Sequence, residues 1–179
     1  MTIRNTSGSF LLATAFMATI VTASNILVQY PINGWLTWGA FSYPVTFLVT
    51  DLINRKVGVQ GARRVVYVGF ATAVMASLLL ATPRIAAASG SAFLVGQLLD
   101  VTVFNHLRHF SWWKAPVISS TLASILDTVL FFSIAFAGTN VPWVNLAVGD
   151  FGIKMLMALT LLVPFRAMMN IIRPQPELV

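Results

Sequence analysis

Four aspartates lie alone within long apolar runs of this chain, and their side chains are the ones most able to do chemistry. They are Asp51 in LVTDLI, Asp100 in QLLDVTVF, Asp127 in SILDTVLF and Asp150 in AVGDFGI. A carboxylate at the centre of a membrane helix costs roughly 2.5 to 3.5 kcal/mol on a translocon scale. Four such residues therefore predict a membrane protein built around a polar interior that several helices share.

Helical spacing places amides, hydroxyls and aromatic rings on the same faces as two of these acids. The stripes are Phe93, Gln97, Asp100 and Phe104 on one helix, Ser120, Ser124, Asp127 and Phe131 on a second, and Asn25 and Gln29 on a third. This mixture suits a flat polar heterocycle, because rings stack on its faces while carboxylates or amides accept from its N–H groups. The alternative is that the polar groups only hold the helices together, and for Asn25, Gln97 and the serines both interpretations stay open.

Two of the acids have a basic residue one helical turn away. Arg55 follows Asp51, and Lys154 follows Asp150, each by four residues. Either pair could be an internal ion pair rather than a contact to a charged ligand. Asp100 and Asp127 have no such neighbour in the sequence, which favours them as the carboxylates that bind a substrate. Asp127 is favoured most, because helix association rarely needs an ionisable group at the midplane.

Pro44 predicts a break in the segment TWGAFSYPVTFLVTD. Proline removes one intrahelical hydrogen bond, which would free the carbonyl of Ala40. Transporters use such breaks to line a cavity, although an ordinary proline kink is the alternative. Trp38, Phe41 and Tyr43 lie at the break and are candidate surfaces for stacking.

Composition excludes several classes of protein. Hydrophobic residues make up 58% of the chain and charged residues only 9%, whereas soluble domains carry about 25% charged residues. The net charge of +6 lies beside apolar runs and forms no soluble basic face, so nucleic acid is not predicted as a partner. The absence of cysteine excludes thiol catalysis and Cys-ligated metals. No nucleotide-binding, zinc-protease or serine-hydrolase motif is present, so the chain is not predicted to be an enzyme or to need a metal or cofactor.

Hydrophobic runs predict an all-α bundle with six transmembrane helices in a single domain covering 1–179. The predicted spans are 10–30, 34–53, 65–81, 85–107, 116–137 and 144–171. The first span is expected to be retained rather than cleaved as a signal peptide. The basic residues outside the spans fall on one side of this arrangement, apart from Arg84. The positive-inside rule therefore places both termini in the cytoplasm.

Four strings resemble the queuosine precursor transporters, also called the vitamin uptake transporter family. They are TWGAFSYPVTFLVTDLINRKVGVQGARR, GQLLDVTVFNHLR, WWKAPVISSTLASILDTVLFFSIAF and VGDFGIK. The resemblance runs from about Ser24 to the end of the sixth span. It implies an importer in the bacterial inner membrane for 7-cyano- or 7-aminomethyl-7-deazaguanine, the precursors of queuosine in tRNA. The polar positions that match the family are Asn25, Gln29, Asp51, Gln97, Asp100, Asp127, Asp150 and Lys154.

One position departs from that resemblance. Many family members have an acidic residue after the D-L-x-N of the second span, where this chain has Arg55. This difference makes an ion pair between Asp51 and Arg55 more plausible. A deazaguanine base offers a ring N–H beside an exocyclic amine, which one carboxylate accepts together, and Asp127 or Asp100 is the expected acceptor.

Three mechanisms remain open at this point. The first is a secondary transporter or facilitator whose helices alternate access around Asp100 and Asp127, with a carboxylate that could carry a proton. The second is a membrane subunit of an ATPase-driven vitamin importer, which could dock its partner on the small residues Thr14, Ala18 and Thr22. An intramembrane enzyme is least favoured, since the acids are widely spaced. The stretch AAASGSA predicts close helix packing, either within the chain or in a homodimer.

Overall fold

The computed structural model describes residues 3–80 and 82–172, and this part of the chain is a bundle of α-helices. The helices are α1 (Ile3–Leu27), α2 (Gly39–Ser42), α3 (Val45–Leu80), α4 (Pro83–Leu107), α5 (Lys114–Phe136), α6 (Trp143–Thr160) and α7 (Leu162–Met169). Five runs are long and apolar enough to cross a membrane, namely Phe10–Leu27, Gly39–Leu80, Pro83–Leu107, Lys114–Phe136 and Trp143–Met169. The predicted all-α membrane class is therefore confirmed.

The predicted boundaries of the second and third spans are wrong. Residues 34–38 form turns rather than helix, and the helical part begins at Gly39. Residues 54–64, which the sequence pattern assigns to a loop, lie within α3. Their arginines and lysine extend from helical backbone, because only one residue between the two apolar stretches leaves the helical conformation.

That residue is Gly58, where α3 reverses direction. Its φ of 78° and ψ of −177° are non-helical and divide α3 into α3a (45–57) and α3b (59–80). Asn54 in α3a donates to the carbonyl of Val101, near the end of α4. Ser77 in α3b accepts from Asn25, whose amide oxygen also accepts from Ser89 near the start of α4. The two halves of α3 therefore run in opposite directions along α4.

The predicted break at Pro44 is confirmed. α2 ends at Ser42, and α3 begins at Val45 after a turn in which the amide of Thr46 donates to the carbonyl of Tyr43 at 2.9 Å. Before the break, Gly39 lies so close to α1 that an added Cβ would be 2.9 Å from the Cα of Val28. The break holds the Tyr43 side chain inside the bundle between two short helical pieces.

Small residues allow the helices to approach closely. A Cβ on Gly69 would be 2.6 Å from Met17 Cγ, and a Cβ on Gly96 would be 3.2 Å from Asp127 Cβ. In the stretch AAASGSA, Ala88 is fully buried and Gly90 packs against Phe70 of α3b. This stretch therefore packs within the chain, while a homodimer stays a prediction.

The last predicted span, 144–171, is two helices. The chain turns at Leu161 between α6 and α7, and Pro164 in the first turn of α7 has no N–H to donate to the preceding helix. Phe165 of α7 is buried against Phe104 of α4, with their ring centroids 6.2 Å apart. This contact fixes α7 beside the end of α4.

We expect Gly58→Ala to destabilise the fold, because the φ and ψ of Gly58 lie in a region that is accessible almost only to glycine. The cost should be about 1–3 kcal/mol, measured as a lower midpoint of thermal unfolding in detergent. Gly152→Ala is the matched control, since Gly152 is helical and has open space around its Cα. Equal unfolding midpoints for the two variants would contradict the assigned role of Gly58.

Candidate functional site

Asp127 of α5 lies at the centre of a polar cluster inside the bundle. The hydroxyl of Tyr43 donates to Oδ1 of Asp127 at 2.7 Å. The ammonium group of Lys154, on α6, donates to Oδ2 at 2.6 Å. Both oxygens of the carboxylate are thus held by donors from other helical segments, and the contact with Gly96 lets α4 pack directly behind it.

Lys154 joins this carboxylate to a second one. Its ammonium group lies 2.6 Å from Oδ2 of Asp150, one turn earlier on α6, and donates to the hydroxyl of Thr128 at 3.0 Å. Thr128 in turn donates to Asp150 Oδ2 at 2.9 Å. Lys154 is only 4% exposed, so its charge depends on these protein partners rather than on water. The predicted alternative of an internal Asp150–Lys154 ion pair is therefore confirmed.

An aromatic ring completes the surroundings of the ammonium group. Lys154 Nζ lies 5.0 Å from the centroid of the Tyr43 ring, within the range of a cation–π interaction. Tyr43 also packs edge-to-face on Phe47 and Phe93, with centroid distances of 5.8 and 6.4 Å. The orientation of Tyr43 is thus fixed by packing as well as by its hydrogen bond.

These groups line a cavity of about 40 Å³. Its walls are Ser24, Asn25, Val28, Gly39, Tyr43, Ser89, Ala92, Asp127, Phe131, Asp150 and Lys154. One side of the cavity therefore offers two carboxylates and an ammonium group, and the other offers hydroxyls and an amide. Such a site can recognise a small molecule that has both hydrogen-bond donors and acceptors.

Asn25 contributes to the cavity and to helix packing at once. Its amide nitrogen donates to Ser77 and its amide oxygen accepts from Ser89 at 2.7 Å, so it connects α1 with α3b and α4. Gln29 instead donates to the carbonyls of Asn25 and Leu80, at 3.0 and 3.3 Å, and lies outside the cavity wall. The two residues that share a predicted stripe therefore have different surroundings.

Gln97 fits the packing alternative. It is fully buried, donates to the hydroxyl of Thr46 at 2.8 Å and accepts from the hydroxyl of Thr50. These bonds join α4 to α3a, and the side chain does not line the cavity.

The three aromatic residues at the Pro44 break also differ in whether they line the cavity. Trp38 is 55% exposed and Phe41 is 38% exposed, and neither lines the cavity. Tyr43 is the one of the three that does, together with Phe131 from α5. Stacking by Trp38 or Phe41 inside this cavity therefore has no support in the geometry.

Asp51 and Asp100 form a separate cluster. Their carboxyl groups lie beside each other, and the hydroxyl groups of Ser119 and Ser120 are next to Asp100. An Asp51–Arg55 ion pair, one of the alternatives that the sequence left open, is absent from the described residues. Arg55 instead lies near Arg108, just after α4, and Arg166 of α7.

The sequence-based grouping of the acids is wrong in a second respect. Asp127, which has no basic neighbour on its own helix, is paired with Lys154 from the next helix. Asp100, the other favoured carboxylate, does not line the cavity that contains Asp127. Thr128, which the sequence analysis overlooked, bonds both Asp150 and Lys154, and its position directly after Asp127 was the available signal. Within 3–80 and 82–172, no group of three or more His, Cys, Asp or Glu residues could hold a metal ion.

Comparisons with known proteins identify the family of this chain. The family model described as "Putative vitamin uptake transporter" matches residues 37–82 and 75–169. The queuosine precursor transporter of Escherichia coli K12 is 35% identical over 178 residues, covering 83% of this chain and 80% of that protein. A probable queuosine precursor transporter of Haemophilus influenzae is 34% identical, covering 86% of this chain and 83% of its own length.

A more distant relative has a corresponding name. The probable queuosine precursor transporter of Bacillus subtilis is 28% identical and covers 69% of this chain. No solved structure matches the chain. Two relatives above 30% identity and a family model spanning most of the sequence identify its family, which is one of transporters and not of enzymes. The chain therefore belongs to the vitamin uptake transporter family and is similar to these queuosine precursor transporters.

Proposed function

We propose that this chain imports queuosine precursors, 7-cyano- and 7-aminomethyl-7-deazaguanine, across a bacterial inner membrane. The observation that carries the proposal is the buried Asp127 carboxylate, held between Tyr43 and Lys154 at the wall of a cavity. The names of its relatives supply the substrate class. Those names describe transporters and do not mention an ATPase, so the ATPase-coupled alternative gains no support from them.

The cavity matches the hydrogen-bonding edge of a deazaguanine. The ring N–H and exocyclic amine form a donor pair that the Asp127 carboxylate accepts. The neighbouring carbonyl of the base accepts from Lys154, and the rings of Tyr43 and Phe131 face the flat heterocycle. On binding, the base replaces internal partners of Asp127. Before binding, these partners occupy the hydrogen-bonding positions of the carboxylate that the base then takes.

The empty cavity is smaller than its substrate. Its volume of about 40 Å³ is far below the roughly 300 Å³ at which ligand pockets usually begin. Binding therefore requires α2, α5 and α6 to move apart, and the helix break at Pro44 is a place where such movement needs few bonds to change. This requirement favours a secondary transporter that alternates between closed and open forms.

Six membrane crossings account best for the helix directions. α3a and α3b run oppositely, so each is assigned its own crossing, and α6 with α7 forms the sixth. With both termini in the cytoplasm, the turn at Gly58 and the 108–113 loop face inward. The 28–38 and 137–142 segments then face outward.

Single-cysteine variants test this topology, and the chain has no cysteine of its own to interfere. We expect Asn33→Cys and Thr139→Cys to react with an impermeant maleimide added outside intact cells. Gln60→Cys and Ser111→Cys should react only after the membrane is opened. All four positions are exposed in the structure. Outside labelling of Ser111→Cys would instead indicate that the Gly39–Leu80 run crosses once.

Liposomes that contain only the purified protein test the function itself. We expect labelled deazaguanine to enter them without ATP. We also expect Asp127→Asn to weaken equilibrium binding of the base by about tenfold or more, because a neutral amide no longer accepts the paired donors as an anion. Thr160→Val is the control, since Thr160 is exposed and lies outside the base cavity. Absent uptake, or unchanged affinity in Asp127→Asn, would contradict the proposal.

Asp150 should distinguish the two precursors. The aminomethyl group is cationic and the nitrile is not, and the cavity holds two carboxylates against one ammonium group. We expect Asp150→Asn to weaken binding of the aminomethyl base by about tenfold while changing the affinity for the cyano base much less. Isothermal titration of both bases against both proteins measures the difference. Equal losses would indicate that Asp150 only positions Lys154.

A further inference from the structure

The carboxyl groups of Asp51 and Asp100 lie together, and no basic side chain within 3–80 and 82–172 forms an ion pair with either. Asp51 is 2% exposed and Asp100 is fully buried. Neither oxygen of Asp100 has a hydrogen-bond partner, and neither does Oδ1 of Asp51. Three of the four oxygens of this pair are therefore buried acceptors without a donor.

The helices hold this pair in place. Asp51 lies between Thr50 and Asn54 on α3a, and Asp100 lies between Gln97 and Val101 on α4. Thr50 bonds Gln97 on one side of the pair, and Asn54 donates to the Val101 carbonyl at 2.9 Å on the other. Asp51 and Asp100 therefore lie between two buried hydrogen bonds that join α3a to α4, and the helices cannot separate here without breaking them.

The nearby cations are engaged elsewhere. Lys154 of α6 lies across the cavity that Asp51 also lines, but its ammonium group bonds Asp127, Asp150 and Thr128. Arg108 donates to the carbonyls of Asn54 and Arg55. Its guanidinium group is partly buried, and this burial lowers its pKa from the usual value.

The other titratable groups near the pair do not balance its negative charge either. Arg166 of α7 stacks on Trp112, Arg55 lies among these arginines, and the Tyr43 hydroxyl donates to Asp127. The residues of α5 that face the pair are the neutral Ser119 and Ser120.

Two adjacent buried carboxylates cannot both stay ionised without a cation, since each raises the cost of charging the other. A shared proton would supply the missing donor between the acceptors. A sodium ion would be ligated by the same carboxylates and the serine hydroxyls. Both are monovalent cations that lower the charge of the pair from −2 to −1.

We propose that the Asp51–Asp100 pair is a monovalent-cation site, separate from the base cavity, whose occupancy is coupled to transport. The coupling rests on the proposed function, whereas the cation site does not. Lys154 lines both cavities, so it lies on the wall between the two sites. A change of charge at the pair acts on the ammonium group that holds Asp127 and Asp150 in the base cavity.

Proteoliposomes with labelled 7-aminomethyl-7-deazaguanine test the coupling. We expect an inward proton or sodium gradient, applied separately, to drive accumulation by the wild-type protein. Asp51→Asn and Asp100→Asn each leave a single carboxylate and so imitate the pair with one cation bound. Their accumulation ratio should therefore fall to about one, while base counterflow without a gradient continues. The gradient that drives accumulation, of protons or of sodium, identifies the cation. Undiminished accumulation in Asp100→Asn, or accumulation by the wild type that neither gradient affects, would overturn the coupling.

Infrared difference spectroscopy of the purified protein tests the cation site without any base. A proton gives a protonated-carboxyl band at neutral pH that disappears in Asp51→Asn and Asp100→Asn but persists in Asp127→Asn. If the cation is sodium, its addition shifts the carboxylate bands instead. This shift is lost in Asp51→Asn and Asp100→Asn but persists in Asp127→Asn. Either result supports the site even if the deazaguanines are not transported. No such band and no sodium response would overturn the site, while base binding through Asp127 would stand unaffected.

Discussion

The position of the Lys154 ammonium group between Asp127 and Asp150 is the interaction on which the interior of this protein depends. Removing three charged groups from water is costly, and removing one partner of a buried ion pair typically costs about 3–5 kcal/mol. The cluster thus connects α5 with α6 and holds Tyr43 against both. Each charged group of the cluster has an internal partner.

Close packing around this cluster follows from small residues and from the broken second helix. Gly96 allows α4 to touch the backbone side of Asp127, and Gly39 allows the chain before the break to lie on α1. Ser24 and Ser42 join α1 to α2 by a hydrogen bond of 2.8 Å. A larger side chain at either glycine would separate helices whose polar groups meet only at short distances. The polar site and the apolar packing therefore depend on the same few positions.

Sequence pattern was sufficient for the helical class, the break at Pro44 and five of the cavity residues, namely Asn25, Tyr43, Asp127, Asp150 and Lys154. It failed where partners come from different helices. Spacing on one helix made an Asp51–Arg55 pair one alternative, but the structure places Asp51 against Asp100, and it places Lys154 against Asp127. Periodicity also cannot tell a loop from a reversal at one glycine, which is why residues 54–64 were assigned wrongly. Contacts between helices depend on rotation about each axis, and hydrophobic spacing defines that only coarsely.

The reversal at Gly58 has a consequence for how the protein is made. α3a has Asp51 and Asn54 on a short helix, and a crossing of about 20 apolar residues is the usual length for stable insertion on its own. Asn54 finds its partner, the Val101 carbonyl, only after α4 has been synthesised. A single residue, Gly58, separates the polar half of α3 from its longer apolar half. The buried hydrogen bonds of α3a with Gln97 and Val101 can therefore form only once α4 has been synthesised.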